Sequence, residues 1–246
     1  MRNKDAWQPS KYSINRGKLK SSGDRGEVAV GSRLIAGRIA EFYERAIPRH
    51  VRGNLIDLGC GKIPLYPVYA LCCDEAICTD WQINPQNYHH LDFVCNLADS
   101  LPLNDSTFDT VILADVLEHL PHPESLWREM GHLLAPGGKL LLTVPFSYGI
   151  HEAPHDYYRF TEFALRRYAE MAGFSLLELE PLGGSPEVLA DFLGKHLSKI
   201  PLIGSRLAIL MQSITQCSTS FGLGKKLSHH TSHAFPLGYS LVAQKI

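Results

Sequence analysis

LIDLGCGK, at residues 55–62, joins a short apolar run to a turn that contains two glycines. The run LIDL predicts a buried β-strand, and Gly59 and Gly61 allow the backbone to turn sharply and to approach a ligand closely. In open parallel sheets, ligands bind at the carboxyl ends of the strands, where such turns lie. The stretch therefore predicts a nucleotide-type loop in an α/β fold.

Six further β-rich runs follow this loop. They are AICT at 76–79, FVC at 93–95, TVILA at 110–114, KLLLTV at 139–144, SLLELE at 175–180 and YSLVAQ at 239–244. Most of them are almost continuously apolar, which is typical of parallel strands buried on both faces. Together the runs predict an α/β sheet that is covered by helices on both sides.

Three helices are predicted from apolar residues at helical spacing. The first begins near Ser32 and carries Ile35, Ile39, Phe42 and Ala46 until Pro48 stops it; the second carries Leu126, Met130, Leu133 and Leu134; the third is capped by Thr161 and carries Leu165, Tyr168, Ala169 and Ala172. Gly173 stands where the end of the third helix favours a positive φ.

The chain is predicted to consist of a basic N-terminal arm, residues 1–31, and one domain over 32–246. Residues 1–38 carry nine Lys or Arg against three Asp or Glu, whereas the remainder carries fifteen against twenty-two. The arm shows no sustained apolar period, so we expect an irregular segment with one aromatic anchor, Trp7 or Tyr12. About 57 residues separate the last two strands, which predicts a helical insertion at about 186–236.

Composition and charge narrow the class of protein. The chain is 45% apolar and 20% charged with a net charge of -1, which suits a globular domain and gives no general attraction to nucleic acid. No apolar run reaches the ~18 residues of a membrane span, and the first residues lack the apolar stretch of a signal peptide. We therefore expect a cytoplasmic protein.

The insertion has two amphipathic stretches, VLADFLGKHLSKI and PLIGSRLAILMQSI. Two interpretations remain open. In the first, they form a lid over an acceptor pocket. In the second, they and the basic arm bind peripherally to a membrane surface that holds a lipid-linked or anionic acceptor.

No metal site is expected. The cysteines form no CxxC pair, and the pairs His119/His122 and His151/His155 are interrupted by Pro121 and Pro154, which spoil a regular helical face.

The charge of the glycine loop favours one kind of nucleotide. A dinucleotide would place its pyrophosphate at this turn, but Asp57 is acidic and Pro64 stands where a third glycine is usual. S-adenosylmethionine carries no phosphate, and its sulfonium and ammonium groups suit an acidic neighbour. Asp80, at the end of the second strand, is placed to accept both ribose hydroxyls.

The sequence resembles the class I methyltransferases, in particular the methyltransferase type 11 branch. The resemblance covers Leu55 to Gly173 and rests on LIDLGCGK, the acid in CTDW, NLADSLPLNDSTFD, VILADVLEHLPHP, LLAPGGKLLLTVPF and HEAPHDYYRFT followed by AGF. It implies a Rossmann-like sheet of seven strands, mostly parallel with an antiparallel last strand and helices on both faces.

The resemblance also implies roles for individual residues. Asp57, Gly59 and Gly61 would hold the methionine end of S-adenosylmethionine and Asp80 its ribose, while the segment Asn96, Leu97 and Asp99 would flank the adenine. Relatives commonly have an acid where Asn96 stands. Ala114 and Asp115 would border the methyl donor and the acceptor, with Glu118 and His119 on the same wall.

The segment 151–159, HEAPHDYYR, offers groups for the acceptor side. His155 or His151 is the candidate general base, Asp156 can orient an imidazole, and Tyr157 or Arg159 can bind the acceptor. The competing interpretation is that Asp156 and Arg159 form an ion pair that locks the loop, with the tyrosines packed under the insertion.

The sequence thus predicts an S-adenosylmethionine-dependent methyltransferase that acts on an oxygen of a small-molecule, glycan or lipid-linked acceptor. Two alternatives remain: a non-catalytic module of the same fold that binds S-adenosylmethionine or docks on a membrane, and an NAD-dependent dehydrogenase.

Overall fold

The computed structural model describes residues 1–81 and 89–246, and these form nine strands and seven α-helices. The strands are β1 (Tyr12–Asn15), β2 (Lys18–Ser21), β3 (Asn54–Leu58), β4 (Glu75–Asp80), β5 (Phe93–Val94), β6 (Phe108–Ala114), β7 (Leu134–Pro145), β8 (Phe174–Leu182) and β9 (Gly238–Lys245). The helices are α1 (Arg33–His50), α2 (Tyr66–Tyr69), α3 (Pro123–Leu133), α4 (Glu162–Met171), α5 (Ser185–Leu197), α6 (Gly204–Ser220) and α7 (Gly222–Thr231).

Seven strands form one sheet in the order β5-β4-β3-β6-β7-β9-β8. The strands β3 to β7 pair in parallel, and β9 lies antiparallel between β7 and β8. The predicted sheet, mostly parallel with an antiparallel last strand, is therefore confirmed. This order places the carboxyl ends of β3, β4 and β6 side by side, where the site lies.

Both faces of the sheet are buried, which explains why the strands are apolar at successive positions. Along β3, Leu55 belongs to the hydrophobic core on one face and Ile56 to the core on the other. The same division separates Ile112 from Val111 in β6. Residues of α1 and α2 fill the first core, and residues of α3 and α4 fill the second.

The helix boundaries differ from the predictions at two prolines. Pro48 lies inside α1, which continues to His50, because a proline in the last turn removes only one helical donor. The predicted helix through Leu134 ends instead at Leu133, and Leu134 opens β7 with its N–H still donating to the Met130 carbonyl. The cap at Thr161 is confirmed, since its side chain accepts from the N–H of Ala164, and Gly173 has the expected positive φ of 77°.

The N-terminal arm is ordered, which corrects the expectation of an irregular segment. Its strands β1 and β2 form an antiparallel hairpin. Tyr12 and Leu19 are each 1% exposed and join the core beneath α1, while Trp7 donates from Nε1 to the Ile63 carbonyl at 3.0 Å. Each strand has only four residues, so the sequence pattern was too short to show the alternation.

Helices α5, α6 and α7 lie between β8 and β9, over the stretch where the sequence predicts an insertion. Among the described residues, no helix combines the length and apolar character needed to cross a membrane.

Candidate active site

The glycine turn follows β3 at the carboxyl edge of the sheet. Gly59 has a φ of 67°, and a Cβ atom there would lie 2.6 Å from Cγ2 of Val116. A residue with a side chain at this position would therefore have an unfavourable backbone conformation, and its Cβ would overlap Val116. Glycine lets the loop pass directly beside the segment that follows β6.

Asp80, at the end of β4, holds this turn in place. Its Oδ2 accepts the Gly61 N–H at 2.7 Å, and its Oδ1 accepts the Trp81 N–H at 2.7 Å. Burial raises the pKa of the Asp80 carboxyl, while these two N–H groups oppose the rise. Asp80 therefore presents its remaining acceptor capacity next to the loop that it fixes.

A cavity of about 580 Å³ opens over this edge of the sheet. Six of the predicted cofactor residues line it: Gly59, Gly61, Asp80, Asn96, Leu97 and Asp115. Asp99 lies beside the cavity and accepts a hydrogen bond from Nδ2 of Asn96 at 3.0 Å. The volume falls within the ~300–1,000 Å³ typical of small-molecule sites.

The remaining two predicted cofactor residues, Asp57 and Ala114, border a neighbouring cavity of about 220 Å³. Gly59 and Gly61 line both cavities, so the glycine loop forms the wall between them. Asp57 is only 2% exposed, and burial raises the pKa of its carboxyl well above the usual value.

Lys11 of the N-terminal arm also lines the smaller cavity, and the sequence did not single it out. Its Nζ lies 2.8 Å from Oδ2 of Asp115, whose Oδ1 accepts from the Thr143 hydroxyl at 2.9 Å. Burial opposes the charge of Lys11, but Asp115 more than compensates, and the pKa of the ammonium group is raised. The neighbouring anchor, Tyr12, was the available sequence signal for a docked arm.

A third cavity, of about 360 Å³, shares Asp115, His119 and Glu152 with the largest one. Glu118 lines it and is fully buried, and neither of its carboxylate oxygens has a hydrogen-bond partner among the residues that the structure describes. Burial raises the pKa of Glu118. Nε2 of His119 and Nε2 of His151 each lie 3.7 Å from its Oε1.

One cluster among the described residues could receive a cation. It consists of Glu118, His119 and His151, which each offer one ligand atom, and these atoms lie within 4.8 Å of one another. The pairs weighed in the sequence are arranged differently. The His122 side chain is 72% exposed, and His155 lines the largest cavity rather than this one. Residues far apart in sequence therefore form the cluster, which spacing alone did not indicate.

Two contacts fix the segment 151–159: an ion pair within it and a backbone hydrogen bond to Glu118. Arg159 donates to both oxygens of Asp156, at 2.6 Å and 2.8 Å, and this contact lowers the pKa of Asp156. The Tyr157 N–H donates to the Glu118 carbonyl at 2.9 Å. The structure thus contains the ion pair that the competing interpretation described, but Tyr157 lines the largest cavity instead of packing under the insertion.

Asp156 contacts one of the two candidate bases. Its Oδ2 accepts the backbone N–H of His151 at 2.9 Å and lies 3.4 Å from Nδ1 of that imidazole. His155 instead packs its ring edge-on against Trp81, with centroids 5.0 Å apart, and its Nδ1 lies 3.3 Å from the Tyr157 hydroxyl. Of these two candidate bases, His151 is therefore the one beside the Asp156 carboxylate, and its Nδ1 also lies 3.3 Å from the Gly149 carbonyl oxygen.

The sheet order and the glycine loop at its carboxyl edge define a Rossmann-like methyltransferase fold. Residues 56–142 match the family model described as a methyltransferase domain. This match confirms the resemblance to the class I S-adenosylmethionine-dependent methyltransferases over that stretch, and it favours a methyltransferase over the NAD-dependent dehydrogenase.

Two relatives illustrate the sequence similarity. Norajmaline N-methyltransferase of Rauvolfia serpentina is 28% identical over 131 residues, covering 48% of this chain and 44% of the relative. Ubiquinone biosynthesis O-methyltransferase of Dechloromonas aromatica is 31% identical over 119 residues, covering 42% and 50% respectively. The match spans about half the length of these curated relatives.

Solved structures share the fold at low identity. The [4+2]-cyclase SpnF superposes with a TM-score of 0.55 at 19% identity, covering 96% of this chain and 87% of that one. A geranyl diphosphate methyltransferase in complex with SAM gives 0.55 at 15% identity, covering 91% and 93%. These similarities concern the fold alone.

Proposed function

We propose that this protein transfers a methyl group from S-adenosylmethionine to an oxygen atom of a small-molecule, glycan or lipid-linked acceptor. The charge of the largest cavity carries the proposal. Asp80, Asp115 and Glu152 line it; Asp115 pairs with Lys11 and the one lining lysine, Lys62, pairs with Glu27, which leaves the charges of Asp80 and Glu152 to set the sign of the cavity. A negative cavity suits a sulfonium and disfavours a pyrophosphate.

Residues around the glycine loop would hold the donor. Asp80 accepts from the ribose hydroxyls, and Asn96, Leu97 and Asp99 flank the adenine. The methionine end lies along Gly59 and Gly61, toward the smaller cavity where Asp57, Ala114 and Lys11 stand. We assign to Lys11 the carboxylate of that methionine end, because it supplies a cation beside the loop amides.

S-adenosylmethionine supplies an electrophilic methyl group on a positively charged sulfur. The acceptor then belongs in the 360 Å³ cavity, because Asp115, His119 and Glu152 form the wall that this cavity shares with the donor cavity. Alignment of the two reactants across that wall, with water excluded, is the main requirement of an in-line transfer.

His151 is the general base in this proposal. Burial opposes protonation of its imidazole, but the carboxylates of Glu118 and Asp156 raise its pKa overall. Nδ1 lies 3.3 Å from the Gly149 carbonyl oxygen and 3.4 Å from Asp156, which Arg159 fixes, and this leaves Nε2 on the side of Glu118 and the acceptor cavity. His151 would take the proton of an acceptor hydroxyl as the methyl group arrives.

Oxygen is favoured as the acceptor atom because removal of a proton by His151 increases the nucleophilicity of a hydroxyl more than that of a neutral amine. The similarity to an O-methyltransferase supports the same choice, while the N-methyltransferase among the relatives keeps nitrogen as the variant to test.

The test begins with the donor. Calorimetry should show that S-adenosylmethionine and S-adenosylhomocysteine bind, and that NAD does not. The protein is then incubated with methyl-labelled S-adenosylmethionine and fractionated cell extract, including the lipid fraction. Label should appear in a product, either as a methyl ether, which resists base, or as a methyl ester, which base hydrolyses. Donor binding without labelled product in any fraction would support the non-catalytic module, and absence of donor binding would overturn the proposal.

A further inference from the structure

Helices α5, α6 and α7 expose an apolar surface, which we call the insertion face. Large apolar side chains more than 40% exposed recur on each helix at spacings of three or four residues. They are Leu189, Phe192 and Leu193 on α5, Leu207, Leu210 and Ile214 on α6, and Leu223 and Leu227 on α7. Monomeric soluble domains rarely expose large apolar patches without a function.

The charges of the insertion face all have one sign. From residue 192 to residue 246 the sequence contains no Asp or Glu, while Lys199, Arg206 and Lys226 are exposed; Lys225 lies on the other side of α7, where it lines a separate cavity with Glu41 and Glu180. The two carboxylates of α5 point inward. Glu187 is fully buried and lies 2.9 Å from Nη2 of Arg38, and the nearly buried Asp191 pairs with Lys195.

The exposed apolar groups do not result from loose packing, because the opposite sides of the helices are fixed. Glu187 accepts from the Ser228 hydroxyl at 2.8 Å, which joins α5 to α7. A Cβ atom on Gly204 would lie 2.0 Å from the Leu197 carbonyl oxygen, so the start of α6 packs directly on the end of α5. A rigid scaffold thus presents the face outward.

We propose that the insertion face docks on an anionic lipid bilayer. Its apolar side chains would enter the boundary between headgroups and acyl chains, and its three exposed cations would meet lipid phosphates. A second copy of the chain fits less well, because a two-fold dimer through this face would bring cations of one sign together.

Helix α5, which carries part of the insertion face on its outer side, borders the acceptor side of the site with its inner side. Nζ of Lys195, on α5, lies 3.3 Å from the ring centroid of Tyr148, which lines the 360 Å³ cavity. If the proposed function holds, an acceptor presented at the bilayer surface reaches that cavity past α5. Docking itself requires no methyl transfer and is tested apart from it.

Vesicle flotation of the full chain tests the docking. We expect binding to vesicles of phosphatidylcholine with phosphatidylglycerol, and at least tenfold weaker binding to vesicles of phosphatidylcholine alone. The double variant Leu210→Ser/Ile214→Ser should lose at least tenfold in binding. Leu71→Ser is the matched control, because Leu71 is 86% exposed after α2, away from the face, and it should bind as the wild type does.

The double variant Arg206→Gln/Lys226→Gln should also lose about tenfold, and added salt should weaken wild-type binding. Absence of vesicle binding at low salt would overturn the proposal, as would equal binding by the Leu210/Ile214 variant. Sedimentation that shows a wild-type dimer abolished by that variant would assign the face to a second copy instead. S-adenosylmethionine affinity, measured in the same variants, should be unchanged, which separates loss of docking from loss of the donor site.

Discussion

Lys11 and Asp115, 104 residues apart, form an ion pair at 2.8 Å across the edge of the sheet. The first belongs to the basic N-terminal arm, and the second follows β6 with a φ of 55°. The pair brings the arm into the site, so residues 1–31 cannot be treated as a solvated tail. The arm supplies a cation beside an otherwise acidic donor cavity.

Replacement of Lys11 should therefore weaken the binding of the methyl donor. We expect Lys11→Met to lower the affinity for S-adenosylmethionine by about tenfold, the lower end for a charge-assisted contact because the side chain keeps partial contact with solvent. Lys18→Met, on the exposed side of the same hairpin, is the control. Calorimetry measures both, and equal affinities would remove Lys11 from the site.

Asp80→Asn should weaken S-adenosylmethionine binding by roughly 1.5 to 3 kcal/mol, the range for a hydrogen bond to a charged group. The amide keeps the size of the side chain but loses the charge that receives both the loop N–H and the ribose. Asp105→Asn changes an exposed carboxyl far from the loop and should bind normally. Unchanged affinity in Asp80→Asn would show that the ribose lies elsewhere.

The pH dependence of turnover should follow the protonation state of the His151 imidazole. A general base must be neutral, so the rate rises with pH through the pKa of His151, which lies above its ordinary value of 6.5. His151→Gln should lower kcat by on the order of 100-fold or more and abolish this rise, with donor affinity unchanged. His122→Gln, at a 72% exposed side chain, is the matched control. A rise that persists in His151→Gln would point to another base.

Glycine 59 and glycine 61 should respond differently to alanine. Gly59→Ala places its Cβ 2.6 Å from Val116 at a positive φ and should lower the free energy of unfolding by roughly 2 to 4 kcal/mol. Gly61→Ala also has a positive φ, but its Cβ meets nothing within 4 Å among the described residues, so about 1 kcal/mol is expected. Denaturant unfolding measures both, and equal losses would contradict the role of Val116.

A chelator tests whether the Glu118, His119 and His151 cluster works without a metal. With His151 as the base, EDTA should leave turnover unchanged. Activity that is lost in EDTA and restored by Mg²⁺ or Zn²⁺ would assign the cluster to a cation and would remove the proton-transfer role from His151.

Much of the fold followed from local pattern. The runs of β3 to β9 were readable because most are almost continuously apolar, and α1 was readable because its apolar stripe repeats over several turns. The hairpin of the arm was not, because each strand contributes only four residues and buries a single large side chain. The predicted helix ends at Pro48 and Leu134 were wrong, because α1 continues two residues past Pro48 and Leu134 belongs to β7 instead of α3.

The sequence by itself determined the α/β class, the glycine loop with acids near it and the resemblance to class I methyltransferases, because each depends on residues that lie close together along the chain. Only the tertiary structure placed Lys11 against Asp115 and set Glu118 between His119 and His151. Such contacts depend on how distant segments pack, and no local period or spacing records that.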